Sequence, residues 1–156
     1  MKTSALMLAL LCTASLPALA QSSLTQRVTS DTSRTEYSDG STATSRRDIS
    51  GNVHRRYSDG RSSSTRQIDI SGNTRTEYSD GSYSTSSKDS SGNVRTRYSD
   101  GSTSYSRTDI GGRTRTEYSD GSYSTSYTDI GGRVHTTHCG YGMAARNPER
   151  GVGRKR

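Results

Sequence analysis

The sequence predicts an all-β chain: an antiparallel, single-layer meander of about eleven short strands, built from 20-residue hairpin repeats with disordered ends. Three observations predict it. Tyr-Ser-Asp-Gly recurs at residues 37–40, 57–60, 78–81, 98–101 and 118–121, with steps of 20, 21, 20 and 20. A second turn signal follows half a repeat later, as Ser50-Gly51-Asn52, Ser71-Gly72-Asn73, Ser91-Gly92-Asn93, Gly111-Gly112-Arg113 and Gly131-Gly132-Arg133. No proline interrupts the chain between Gln21 and Asn147, so every strand between those turns keeps its backbone donors.

From the N-terminus, Lys2, the apolar run at residues 5–11 and the small-x-small triplet Ala18-Leu19-Ala20 predict a signal peptide over residues 1–20, cleaved before Gln21. The protein is therefore expected to be secreted or periplasmic. The apolar run falls short of the ~20 residues a membrane span requires, and no second one follows. Removing the leader leaves 136 residues with formal charge +6, since Lys2 leaves with it. Residues 21–33 read as a lead-in, 34–138 as the hairpin array and 139–156 as a flexible basic tail.

Low hydropathy makes a two-layer globule a poor expectation. One Leu, five Ile and five Val follow residue 20, with no Phe or Trp, so few large side chains are there to offset the entropy of ordering. The periodicity is what separates this chain from a disordered Ser- and Gly-rich one, the main alternative on composition alone. A β-solenoid is the other geometric alternative. Stacked 20-residue coils would place Asp39, Asp59, Asp80, Asp100 and Asp120 in one ladder about 4.8 Å apart, where like charges repel unless calcium bridges them.

Register follows from the turns. Asp-Gly is a preferred pair for a two-residue type I′ loop, which at Asp120-Gly121 sets Tyr118 opposite Tyr123, Thr116 opposite Thr125 and Thr114 opposite Tyr127. One face then collects Tyr and Thr, and the other collects Arg113, Arg115, Glu117, Ser124 and Ser126. A second two-residue loop at Gly131-Gly132 keeps that parity. The 21-residue repeat holds one residue more around Arg66-Gln67-Ile68-Asp69, which predicts a β-bulge near Gln67-Ile68 to save the facing.

The stretch Tyr127-Thr128-Asp129-Ile130-Gly131-Gly132-Arg133-Val134, joined elsewhere to Arg-Thr-Glu-Tyr-Ser-Asp-Gly, resembles the tyrosine–aspartate repeat of bacterial RHS and related wall or toxin proteins. The resemblance spans about residues 34–134, and it implies β-hairpin repeat units. Here an extra residue separates Tyr127 from Asp129, unlike that family's Tyr-Asp pair.

Ser, Asp and His occur without a recurring catalytic arrangement, so the reading is non-enzymatic, with no cofactor. His135 and His138 fall on opposite strand faces, leaving only His135 with Cys139, too few ligands for a structural zinc. The Asp-Gly turns lack the spacing of calcium-binding β-rolls. Charge is more informative: residues 21–156 hold nineteen Arg and two Lys, and Arg suits planar, bidentate contact with phosphate, sulfate or carboxylate. Arg75, Arg95, Arg97, Arg113 and Arg115 share a face, and Arg154, Lys155 and Arg156 end the basic tail. The expected role is a structural or adhesive element on an anionic polysaccharide, lipopolysaccharide or nucleic acid, without sequence preference. The alternative is a self-assembling fibre subunit growing through open sheet edges. Cys139, the one thiol outside the leader, predicts an intermolecular disulfide.

Overall fold

The computed structural model describes residues 21–140, and these form a closed barrel of twelve antiparallel strands. In order they are β1 (Gln21–Arg27), β2 (Thr32–Tyr37), β3 (Thr42–Arg47), β4 (Val53–Tyr57), β5 (Ser62–Gln67) and β6 (Thr74–Tyr78). The second half comprises β7 (Tyr83–Lys88), β8 (Val94–Tyr98), β9 (Thr103–Thr108), β10 (Thr114–Tyr118), β11 (Tyr123–Thr128) and β12 (Val134–Cys139). The backbone of each strand approaches only its two sheet neighbours, so the described residues form one curved wall. No helix among the described residues is long and apolar enough to cross a membrane.

Closure replaces the expected open meander. β1 pairs with β12 from Gln21↔His138 to Thr25↔Val134, and this joins the two edges. An up-and-down sheet closes antiparallel throughout only with an even number of strands, and β1 supplies the twelfth. It lies in the segment read as a lead-in because it carries neither turn motif. Its Ser23 and Thr25 nevertheless continue the small-hydroxyl alternation of the other strands, opposite Thr136 and Thr35. With no free edge, growth or self-association through sheet edges loses its structural basis.

The turns also differ from expectation, by one residue. Glu117 faces Tyr123 and Thr116 faces Ser124, because the loop holds three residues, Ser119-Asp120-Gly121. Tyr118 N–H donates to Ser122 O at 2.9 Å, and Gly121 N–H returns to Tyr118 O at 3.0 Å. Only Gly121 takes positive φ, at 83°, so this is a three-residue loop with a glycine bulge, where Asp120 stays right-handed. The aspartate then caps: its Oδ1 accepts from Ser122 N–H at 2.9 Å and from the Ser122 hydroxyl at 2.6 Å. The other end behaves alike. Tyr127 faces His135 rather than Thr136, Ile130-Gly131-Gly132 forms the loop, and Gly132 takes φ 75°.

That shift rearranges the faces. Tyr118 opposes Ser104, which is buried, and turns into the barrel, whereas Tyr123 stands outside with Arg115 and Glu117. The two tyrosines are on opposite faces, contrary to the expected cross-strand pair. The extra residue of the long repeat is absorbed in its turn rather than in a strand bulge. Ile68 N–H bonds Asn73 O at 2.8 Å, one residue further across than Asp48 N–H to Asn52 O, and Gln67 still opposes Thr74.

The interior is made of hydroxyls. Ala43 and Tyr57 are its buried apolar residues; Thr35, Ser84, Ser104 and Ser124 are the buried polar ones on the same face. Cross-strand hydroxyl pairs bridge successive strands: Thr25–Thr35 at 2.8 Å, Thr65–Thr76 at 2.8 Å, Ser86–Thr96 at 2.8 Å, Ser106–Thr116 at 2.7 Å and Ser126–Thr136 at 2.9 Å. A small hydroxyl spends little rotamer entropy on burial and satisfies its own polar atom through such a pair, which is how this composition lines a barrel.

Candidate polyanion-binding face

The outer wall is set by the residues that alternate with the hydroxyls. In β6 and β10 the motif Arg-Thr-Glu points Arg75 and Glu77, or Arg115 and Glu117, outward. Arg75 Nε donates to Glu77 Oε1 at 3.1 Å, and its guanidinium lies 3.9 Å from the ring centre of Tyr83. Arg115 repeats this with Glu117 at 2.9 Å and Tyr123 at 4.0 Å. Each carboxylate also serves a neighbouring strand: Arg66 reaches Glu77 at 3.5 Å and Arg107 reaches Glu117 at 4.0 Å. Thus Arg66 opposite Arg75, and Arg107 opposite Arg115, are like charges held across a ladder by a shared glutamate.

Strand β8 breaks that balance. Arg97 stands where β6 and β10 have glutamate, and Arg95 faces Ser87 and Tyr105. Both arginines are exposed, and among the described residues neither has a carboxylate within ion-pair distance. They border an outer-wall groove of about 540 Å³ with Arg75, Tyr83, Thr85 and Ser87. Arg113 sits at the foot of β10, where its N–H bonds Asp109 Oδ1 at 2.9 Å and its side chain is exposed. The expected face therefore divides: Arg95 and Arg97 are uncompensated, while Arg75 and Arg115 are held by glutamate and tyrosine. Arg154, Lys155 and Arg156 lie outside the described residues.

A second basic groove was not anticipated. Arg46, Arg47, His54 and Arg56 line about 1060 Å³ beside Ser62 and Ser64, with Asp31, Asp48 and Glu77 offsetting part of their charge. The signal was present, since Arg56 also replaces the glutamate of its repeat, so the charge alternates as Glu36, Arg56, Glu77, Arg97 and Glu117. Arg55 was missed for a different reason. It occupies the inward Thr position of its repeat, where Nη2 donates to Tyr37 Oη at 2.8 Å and Thr35 Oγ1 at 3.3 Å. Sequence alone reads it as one more surface cation.

Several turn aspartates are made more acidic by local donors. Asp48 is lowered to about 2, first by the side-chain amide of Asn52, then by His54, with further backbone donation from Asn52 and Ser50. Asp129 is lowered by His135, whose Nε2 lies 2.9 Å from Oδ2, and by Arg133 N–H. His135 stacks on Tyr127 with ring centres 4.9 Å apart, on the outer wall. His138 turns inward opposite Ser124, so the two histidines do occupy opposite faces. Cys139 ends β12 opposite Tyr123, half-buried and not in a disulfide. Among the described residues no three His, Cys, Asp or Glu side chains converge as metal ligands. No protein-family model, curated protein or solved structure matches this chain.

Proposed function

We propose that the protein is an exported, non-enzymatic adhesive or structural barrel whose outer arginine wall binds anionic cell-surface polymer. The observation that carries this reading is the Glu-to-Arg exchange in β8, which leaves Arg95 and Arg97 exposed without a counter-charge beside the Arg75–Tyr83 groove. An uncompensated planar guanidinium pair favours phosphate, sulfate or carboxylate groups. Exposed Ser and Thr around it add hydrogen-bond donors without sequence discrimination. Export belongs to the same proposal: all the described strands follow Ala20, so cleavage there removes none of them. N-terminal sequencing of protein recovered outside the cytoplasm should read Gln21 first.

The test uses a sulfated polysaccharide and a single-stranded polynucleotide as probes. Affinity for both should fall steeply as salt rises, through counterion release. Replacing Arg95, Arg97, Arg113 and Arg115 by Ser should weaken binding about tenfold or more and flatten the salt slope, with circular dichroism unchanged. If that variant binds as the parent does at moderate salt, the wall is a solubility device and the reading fails.

A further inference from the structure

The up-and-down topology places six turns at one end of the barrel, those of β1–β2, β3–β4, β5–β6, β7–β8, β9–β10 and β11–β12. Four carry an isoleucine at the tip: Ile49, Ile70, Ile110 and Ile130, whose relative exposures run from 102% to 112%. Folding does not explain them. The β7–β8 turn has Ser90 at that place and makes the same bonds, Gly92 N–H to Asp89 O at 3.0 Å and Asn93 N–H to Asp89 Oδ1 at 2.9 Å. The turn is thus fully specified by Asp, Gly and the residue after it. Among the described residues the isoleucines leave their apolar surface exposed to water.

Their setting carries both signs with cations in slight excess: an aspartate, Asp48, Asp69, Asp109 or Asp129, precedes each isoleucine, and Lys88 and arginines flank the turns. Arg46, Arg47, Lys88 and Arg107 end the strands entering these turns, while Arg113 and Arg133 follow the glycines. The opposite end is acidic, with Asp39, Asp59, Asp80, Asp100 and Asp120 in its loops and Glu36, Glu77 and Glu117 just inside. Neighbouring tips stand two strand spacings apart, about 10 Å, around a common rim. So wide a ring does not make one continuous apolar patch; it makes several anchors facing one plane.

We propose that this rim docks on an anionic lipid surface, with the four isoleucines entering the headgroup–acyl boundary and the flanking cations meeting lipid phosphates. A second copy of the chain fits less well on chemistry: rim against rim opposes arginines to arginines, and rim against the far end, although complementary in charge, sets the isoleucines on charged Ser-Asp-Gly loops. A spanning barrel is disfavoured by the wall itself, where Arg, Glu and Ser face outward on strands of five to seven residues against the ~9–11 apolar-faced residues a span uses. The inference goes beyond the polymer-binding reading and uses different residues.

The barrel beginning at Gln21 would be mixed with vesicles of phosphatidylcholine plus phosphatidylglycerol, or of phosphatidylcholine alone, and co-sedimented. Binding is expected to the anionic vesicles and to weaken with salt. Replacing Ile49, Ile70, Ile110 and Ile130 by Ser should reduce it about 100-fold or more, while leaving sulfated-polysaccharide affinity unchanged. The chain contains no Trp, so Ile110→Trp gives a lone reporter whose emission should shift blue and be quenched by acyl-brominated lipid; Tyr105→Trp, on the outer wall, should do neither. Equal binding to neutral vesicles, binding that survives the Ser replacements, or an unquenched indole in the Ile110→Trp variant would each overturn the proposal. So would concentration-dependent dimerisation abolished by the same replacements.

Discussion

The two ends of the barrel close most of their hairpins with the same three-residue, glycine-bulged loop, β1–β2 lacking the glycine and β5–β6 holding one residue more, and they use it for different purposes. At the Ser-Asp-Gly end every loop residue is engaged. Ser119 N–H donates to Thr103 O at 2.9 Å, and Thr103 N–H donates back to Ser119 Oγ at 3.1 Å. The same reciprocal bonding links Ser58 with Thr42, Ser79 with Ser62 and Ser99 with Tyr83. Each loop is thereby stitched to the hairpin before it, while the preceding tyrosine turns inward. At the Asp-Ile end the aspartate sits before the loop and bonds across it, as Asp129 Oδ1 does to Gly131 N–H at 2.8 Å and Arg133 N–H at 3.0 Å. Apart from Arg47 N–H donating to Asp31 O of the β1–β2 turn at 2.8 Å, no such bond to a neighbouring hairpin is seen there among the described residues, and the isoleucine tip is left for solvent or a partner. Turn chemistry alone does not determine whether a loop is structural; the lateral bonds do.

The largest break in this comparison should come from Tyr57→Ala. Tyr57 is 7% exposed and belongs to the stitched end, so its loss should cost about 3 kcal/mol in urea unfolding. Ile110→Ser at the other end should change stability within about 0.5 kcal/mol, as for an ordinary surface substitution. A comparable loss for both would show that the rim isoleucines are structural after all.

Gly121→Val and Gly132→Val should each cost about 1–2 kcal/mol, because a β-branched residue must enter the left-handed region at both ends. The equality is the point: the ends share their backbone device. A thermal melt in which only one variant is destabilised would break the equivalence.

Smaller still, Ser119→Ala removes the acceptor for Thr103 N–H and should cost about 0.5–1 kcal/mol. Ser50→Ala, at the unstitched end, removes a hydroxyl the turn does not use and should be silent by the same assay. Hydrogen exchange should sharpen the contrast, with Thr103 N–H losing protection only in the Ser119 variant.

The smallest effect is electrostatic. Asp48 is held near 2, against an ordinary 3.8, chiefly by Asn52. A depressed folded value means the carboxylate's contribution is fully present above about pH 4 and is lost as pH falls through about 2. Titration of Asp48 by carboxyl NMR should return an upward shift in Asn52→Ala. No shift would remove the amide as the cause.

The Cys139 expectation is tested separately. Non-reducing electrophoresis of protein from its native compartment should yield a dimer that reductant dissolves; monomer under both conditions ends it.

The sequence alone determined eleven of the strands, β2–β12, with their order and the placement of their turns, because turn signals every ten residues or so, Asp-Gly alternating with Ser-Gly-Asn or Gly-Gly, constrain the chain locally. It also determined the odd hairpin, although not where its extra residue went. Three things were decided only by tertiary structure. A two-residue and a three-residue loop both suit Asp-Gly, and the choice fell to the three-residue form, which lets Ser119 reach Thr103 and Asp120 cap Ser122. That one residue exchanged the faces of Tyr118 and Tyr123, since side chains alternate with period two. Closure depended on β1, whose partner lies more than a hundred residues away, and no local pattern encodes such a pairing. The arginine wall was legible as a face, as were the strands that keep a glutamate, since Arg75 has Glu77 two residues along the same strand whereas Arg95 has Arg97. The inward turn of Arg55 required knowing which face became the interior.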